Sequence, residues 1–162
     1  MRKCLLLVGS LLLCVGFSAA QGKISSQWKC DKPSEQHSLA VPDGEGHNYG
    51  IAKGKCTSEK GSMGDAKEQE GTYTEFGEMT PGVNHNNGVF VVTLANGDKV
   101  FYRYNGTQSL KQGIVESGTN TWTLAGGTGR YKAVKGEGGC QGKGNADGTS
   151  TWECNGSYSG DK

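Results

Sequence analysis

Proline is scarce in this 162-residue chain, which holds three, and apolar and aromatic residues make up only 33% of it. No segment carries the roughly 20 consecutive apolar residues that a membrane-crossing helix needs. Neither sign of charge dominates, since 17 Lys and Arg stand against 16 Asp and Glu. A near-neutral chain without a basic stripe argues against nucleic acid, whose binding rests on clustered phosphate contacts. No polybasic or amphipathic stretch recommends a membrane surface. The GxSxG elbow of serine hydrolases is missing, and no CxxC spacing suggests zinc. Helical periodicity is missing too; the longest helix-permissive stretch, 64–70, is polar throughout and reads as a loop.

What the chain does have begins with a leader. Arg2 and Lys3 precede an apolar run from Cys4 to Phe17, and Ser18-Ala19-Ala20 supplies small residues at the spacing of a cleavage site. Residues 1–20 therefore read as a secretory signal peptide, leaving one domain over 21–162 that is secreted or periplasmic. With few aliphatic side chains, that domain has a thin core. Closure of its sheet, or covalent staples, must make up the difference.

The staples are visible. Cys30, Cys56, Cys140 and Cys154 remain after the leader, an even number in an exported chain. Asn145-Ala146-Asp147-Gly148 has the grammar of a three-residue hairpin loop, which sets Asn145 opposite Thr149. Continuing that register brings Cys140 opposite Cys154 at the closer type of antiparallel pair. Val41-Pro42-Asp43-Gly44 repeats the grammar and brings Cys30 opposite Cys56. The expected disulfides are Cys30–Cys56 and Cys140–Cys154.

Short runs of Val, Thr, Tyr, Phe and Trp alternate with Gly, Asn and Asp turns, which is the signature of strands. They fall near 24–30, 48–56, 71–79, 89–94, 99–104, 114–124, 130–143 and 149–158. The expected fold is all-β: a closed antiparallel barrel of about eight strands, with a two-layer sandwich as the alternative. Glycine, at 28 residues the conspicuous excess, fits this reading. Gly126, Gly127 and Gly129 are followed by strand-like sequence, whereas a phosphate loop would need a helix there. Gly142 is expected opposite Trp152, where an indole can cover bare backbone.

"NGDKVFYRYNG" followed by "WTLAGGTGRYKAVKGEG" resembles the allene oxide cyclase barrel superfamily, which includes plant dirigent proteins and many uncharacterised bacterial barrels. The resemblance covers roughly 88–139 and rests on the Gly-Asp hairpin and the GGTG turn. It implies an eight-stranded barrel with an interior cavity, of the bacterial branch, and barrel walls that associate into trimers in several plant members.

Candidate sites follow from the Asn96-Gly97 hairpin. A two-residue turn there pairs Val91 with Tyr102, Thr93 with Val100 and Val89 with Tyr104. The other face then carries Phe90 beside Arg103, Val92 beside Phe101 and Leu94 beside Lys99. Both faces are substantially apolar, so one lines the barrel and the other is covered or meets a second copy. Phe90, Phe101 and Arg103 form the candidate ligand site: an inward Arg103 would hold the acidic head of an apolar ligand, whereas an outward one simply lies across the rings. His37 and His47 fall as diagonal neighbours on one face with Glu45 nearby, a spacing that specifies a metal too weakly to assign one; His85 sits in a loop over 81–88. Glu68, Glu70, Glu75 and Glu78 read as solvated faces. Asn105-Gly106-Thr107 and Asn155-Gly156-Ser157 match the glycosylation pattern but also serve as turns.

The function expected from these features is a non-catalytic exported barrel that binds a small, partly apolar or acidic ligand or acts as a scaffold. It would need no cofactor or metal, and it would form a homo-oligomer. The alternative is an isomerase or cyclase resembling allene oxide cyclase.

Overall fold

The computed structural model describes residues 21–112 and 114–160; the leader read over 1–20 lies outside them. Ten strands follow one another: β1 (Gln21–Cys30), β2 (Glu35–Ala40), β3 (Asn48–Lys60), β4 (Ser62–Met63), β5 (Ala66–Thr80), β6 (Val83–Leu94), β7 (Lys99–Lys111), β8 (Ile114–Gly127), β9 (Lys135–Gly144) and β10 (Ser150–Ser159). Eight of them pair in the order β3-β1-β10-β9-β8-β7-β6-β5, and β5 pairs with β3 again. The ring is a closed antiparallel barrel of eight strands. Closure leaves no edge along the barrel wall, as a chain with so little aliphatic surface requires. Of the two remaining strands, β2 runs beside β3 where β1 stops, and β4 folds back on the start of β5.

Both disulfides form as expected, Cys30–Cys56 between β1 and β3 and Cys140–Cys154 between β9 and β10. The second sits in the register set by the Asn145–Thr149 hairpin, with Gly148 in the left-handed position at φ 81°. The first arises differently from its derivation. The chain breaks at Pro33, and only β1 carries Cys30 to Cys56; β2 then pairs with β3 two residues out of that register, His37 opposite Ile51 and Leu39 opposite Tyr49. The turn joining β2 to β3 is correspondingly longer. Val41 donates to the His47 carbonyl at 2.9 Å, and Gly46 at φ 78° takes the left-handed place expected of Gly44.

Three stretches are more regular or less regular than expected. Residues 66–70 belong to β5 and residues 83–88 to β6, so the polar loops read at 64–70 and 81–88 shrink to tight turns. Conversely, Gly129–Tyr131 is a 3-10 turn, and the strand read over 130–143 starts only at Lys135. Asn105 and Asn155 lie within β7 and β10, exposed, rather than in turns.

The register of the central hairpin is the consequential correction. Gly97 has φ 84°, but Asn96 is not among the described residues with positive φ, as a two-residue turn of the expected type would demand. Leu94 instead donates to the Asp98 carbonyl and Gly97 to the Leu94 carbonyl, both at 2.9 Å, leaving three residues in the loop. Every pair shifts by one: Phe90 opposite Tyr102, Val92 opposite Val100, Val89 opposite Arg103 and Val91 opposite Phe101. A one-residue slip exchanges neighbours across the hairpin and reassigns the faces.

The GGTG turn is joinery, as read, although a 3-10 turn rather than a strand follows it. Thr128 Oγ1 accepts the Lys99 amide at 2.8 Å and donates to Asp98 Oδ1 at 3.2 Å. A side chain at Gly129 would fall on the Asp98 carboxylate. This turn helps to plug one end of the barrel, where Met63, Val92, Leu94, Val100, Tyr131 and Val134 are the largest fully buried side chains. Tyr131 ties the plug together by donating to the Met63 carbonyl at 2.9 Å.

Candidate functional site: the barrel interior

Beyond the plug the barrel is hollow. A cavity of about 600 Å³ opens at the other end, past Asp31, Lys32, Leu110, Ile114 and the loop around Asp147. That is the size of a small-molecule site. The reason for a lumen rather than a packed core lies in how the glycines and rings are paired. A Cβ on Gly71 would fall on the Phe90 ring, on Gly54 on the Tyr73 phenol, on Gly142 on the Trp152 indole, and on Gly138 or Gly156 on the Trp122 indole. Each ring therefore lies down on bare backbone instead of standing into the centre. Trp28, Phe90, Tyr102 and Trp122 then touch in series, with ring centroids 5.0, 6.3 and 5.2 Å apart. Edge-to-face contacts of this kind stabilise an aromatic lining beyond its burial.

Away from the mouth, one carboxylate stands in this lining. Glu75 on β5 accepts the Tyr104 phenol at 2.8 Å and the Asn86 amide at 2.8 Å, both at Oε2. Burial pushes its pKa above the usual carboxylate range, and these two donors hold part of that rise back. The same surroundings push the Tyr104 phenol far up, chiefly by burial and then by the charge of Glu75. Tyr73, likewise desolvated, rises to about 12. Asn84 donates to Gln108 at 3.0 Å. The side-chain oxygens of Asn84 and Asn120 and the Trp122 indole N–H are buried with no partner among the described residues. The interior thus combines apolar faces with a few convergent polar groups, several short of partners.

Glu68 lies toward the plugged end and is only 7% exposed. Burial lifts its pKa to about 7, opposed by the Ser26 hydroxyl.

Of the three residues expected to hold a ligand, the structure places one in the cavity. Phe90 lines it; Phe101 and Arg103 face the outer wall beside Val91 and Val89, as the shifted register dictates. The histidines are not brought together. His47 bonds Asp43 at 2.7 Å and Glu78 at 3.1 Å, the Asp43 bond chiefly raising its pKa; His37 is exposed on β2, and His85 in β6 bonds Thr107 at 3.1 Å. Among the described residues no three His, Cys, Asp or Glu side chains cluster as a metal site. Glu68 and Glu75, read from sequence as solvated faces, are instead drawn inside by the barrel's closure, and Tyr104, Asn86 and Tyr73 were not singled out as site residues. Their signal was alternation: Gly71, Tyr73, Glu75 and Gly77 share one face of β5, with the Phe90 ring lying over Gly71 and the Asn84 amide over Gly77.

The fold and site together define a closed eight-stranded antiparallel barrel with an open, aromatic-walled interior. No protein-family model matches the chain, and no curated protein matches it either. Among solved structures it is similar to the pterocarpan synthase dirigent protein GePTS1, with a TM-score of 0.48 and 15% identity over 96% of this chain and 98% of that one. The pterocarpan synthase dirigent protein PsPTS1 gives a TM-score of 0.43 and 18% identity, over 88% and 97% of the two chains.

Proposed function

We propose that this barrel binds a small, largely apolar molecule in its interior and works in an exported, oxidising setting. The observation that carries the reading is the cavity itself: about 600 Å³ kept open because the rings lie on glycines rather than filling the centre. A scaffold with no guest has no use for so much unfilled aromatic surface, since interiors otherwise close-pack. Two disulfides suit an oxidising compartment, and the leader read over 1–20 supplies the route. The polar anchor we assign is Glu75, not Arg103, because Glu75 stands in the lining and Arg103 outside it.

All three tryptophans of the chain line the cavity, so intrinsic fluorescence reports its occupancy. Titration with a panel of fatty acids, phenolics and aromatic amines should give a saturable change for at least one class. Arg103→Ala, on the outer wall, should leave it unaltered. A flat response to every class would leave only the scaffold role.

The isomerase or cyclase reading is favoured by one specific feature, the Glu75–Tyr104–Asn86 cluster, because buried acids with displaced pKa values are what proton-transfer sites use. Resemblance of the 88–139 segment to the allene oxide cyclase superfamily points the same way. Conversion of a bound guest by the native protein, lost in Glu75→Gln while the guest still binds, would establish it.

A further inference from the structure

The cavity wall is short of positive charge. Its charged lining residues are Asp31, Glu75 and Asp147 against a single cation, Lys32. Lys32 is exposed at the mouth, with its stem beside Gly148. Arg103, the cation that could have balanced Glu75, faces away. Glu75 receives its two donors at Oε2, and among the described residues nothing donates to Oε1. Asn84 Oδ1 and Asn120 Oδ1 add two more acceptors without partners, against one such donor in the lining, the Trp122 indole N–H. A guest that brings a carboxylate would meet like charge and unfilled acceptors. One that brings N–H donors and a positive charge would complete both.

The rings add a third requirement in the same sense. Three ring atoms of Phe90 crowd the position of a Cβ on Gly71, and three of Trp152 crowd that on Gly142, so these rings lie flat against the wall. A ring flat on the wall turns its other face to the lumen. Aromatic faces carry the negative part of the ring quadrupole and attract cations, most strongly when water is excluded.

Resting on the binding reading above, we propose that the guest is a protonated organic amine: its ammonium is held at Glu75, and its apolar body lies along the ring faces of Phe90 and Trp152. Neutral alcohols of the same shape fit the lumen but leave the carboxylate without its counter-charge. Acids of the same shape are rejected.

A matched trio tests this by calorimetry on the oxidised protein at pH 7.5: 2-naphthylmethylamine, 2-naphthylmethanol and 2-naphthoate. The amine should bind about tenfold or more tighter than the alcohol, the gain expected of a charge-assisted hydrogen bond, and the acid weakest. Glu75→Gln should collapse the amine-to-alcohol ratio to about one, whereas Arg103→Ala should preserve it. Equal binding of amine and alcohol by the native protein, or a ratio that survives in Glu75→Gln, overturns the amine assignment and leaves the binding reading standing. Failure of all three to bind overturns the amine assignment, and together with a flat fluorescence response to every class it overturns the binding reading as well. Should Glu75→Gln not fold, the native complex decides the matter. Nuclear Overhauser contacts from the amine's methylene to Tyr104 and Asn86 support the assignment; contacts confined to Leu110 and Ile114 at the mouth overturn it.

Discussion

Tyr104 on β7 reaches over β6 to give its phenol proton to Glu75 on β5, with 2.8 Å between the oxygens. The residue between them is Gly88, paired with Glu75 on one side and Tyr104 on the other. A side chain there would push into the Tyr104 phenol and the Thr74 carbonyl. The absence of a Cβ is what permits the bond.

Tyr104→Phe should therefore raise the pKa of Glu75 further, because the phenol's bond favours the ionised form. Loss of a hydrogen bond to a charged group should cost about 1.5–3 kcal/mol at pH values where Glu75 is ionised, and much less where it is protonated. Carbon-13 carboxyl shifts followed against pH will read the change, and a downward move of the pKa would contradict it.

Glu68 makes a separate prediction. Its pKa rises from 4.5 to about 7 on folding, so the folded state holds its proton more tightly than the unfolded chain does. Stability from this group is full below 4.5 and is lost as the pH climbs through 7, by about 3 kcal/mol. Glu68→Gln, which cannot ionise, should remove that slope. Urea unfolding of both proteins at pH 4.5 and pH 8 is the measurement, and parallel profiles would refute the assignment.

Gly71→Ala should shrink the cavity without touching any polar group in it. The new methyl occupies the place of the Phe90 ring, which must swing toward the lumen. We expect guest affinity to fall by about tenfold or more while the barrel still folds, since a misfitting ring in a binding site costs on the order of 1–3 kcal/mol. Unchanged affinity would mean that the guest does not lie against Phe90.

The Cys140–Cys154 bond closes a loop with a sequence separation of 14, and Cys30–Cys56 one of 26. Opening the first by Cys140→Ser with Cys154→Ser should lower unfolding free energy by about 3 kcal/mol, and opening the second should cost slightly more. Thermal unfolding of the two double variants checks both the size and the order.

Association is expected through the outer wall. Tyr49 stacks on Phe76 with 5.6 Å between ring centroids, and Leu39, Ile51 and Phe76 are 79%, 50% and 46% exposed. At ~25 cal/mol per Å², covering these side chains is worth several kcal/mol, which favours a second copy of the chain with a complementary surface. Light scattering of the oxidised protein should show mass growing with concentration, and Ile51→Ser with Phe76→Ser should abolish the growth. A monomer at every concentration would refute it.

The barrel class and the Cys140–Cys154 pair were legible in the sequence because both depend on local rules: turn grammar, alternation and cysteine arithmetic; Cys30–Cys56 was reached through a turn register that β2 and β3 do not adopt. Cys140–Cys154 followed from the Gly148 loop alone. The face assignment was not legible, because Asn96-Gly97 suits a two-residue and a three-residue loop, and only the dihedrals of Asn96 separate them. That single residue moved Arg103 from candidate anchor to outer wall. Glu75 was hidden for another reason. A lone acid among Thr, Gly and Glu residues reads as solvated, and its burial depends on Tyr104 and Asn86 from two other strands.

The floor of glycines under the rings has a consequence for how this lumen could change shape. Each of these rings rests on one or two missing methyl groups, so the glycine beneath it acts as a stop on its angle. Restoring methyls one at a time would tilt Tyr73, Phe90 or Trp152 singly, and would narrow the bore in steps while Glu75 and its donors stayed in place. For a barrel that binds as proposed, guest size would then be graduated by backbone positions beneath the rings, and guest charge would be set elsewhere. Width and polarity become separately heritable properties of one tube.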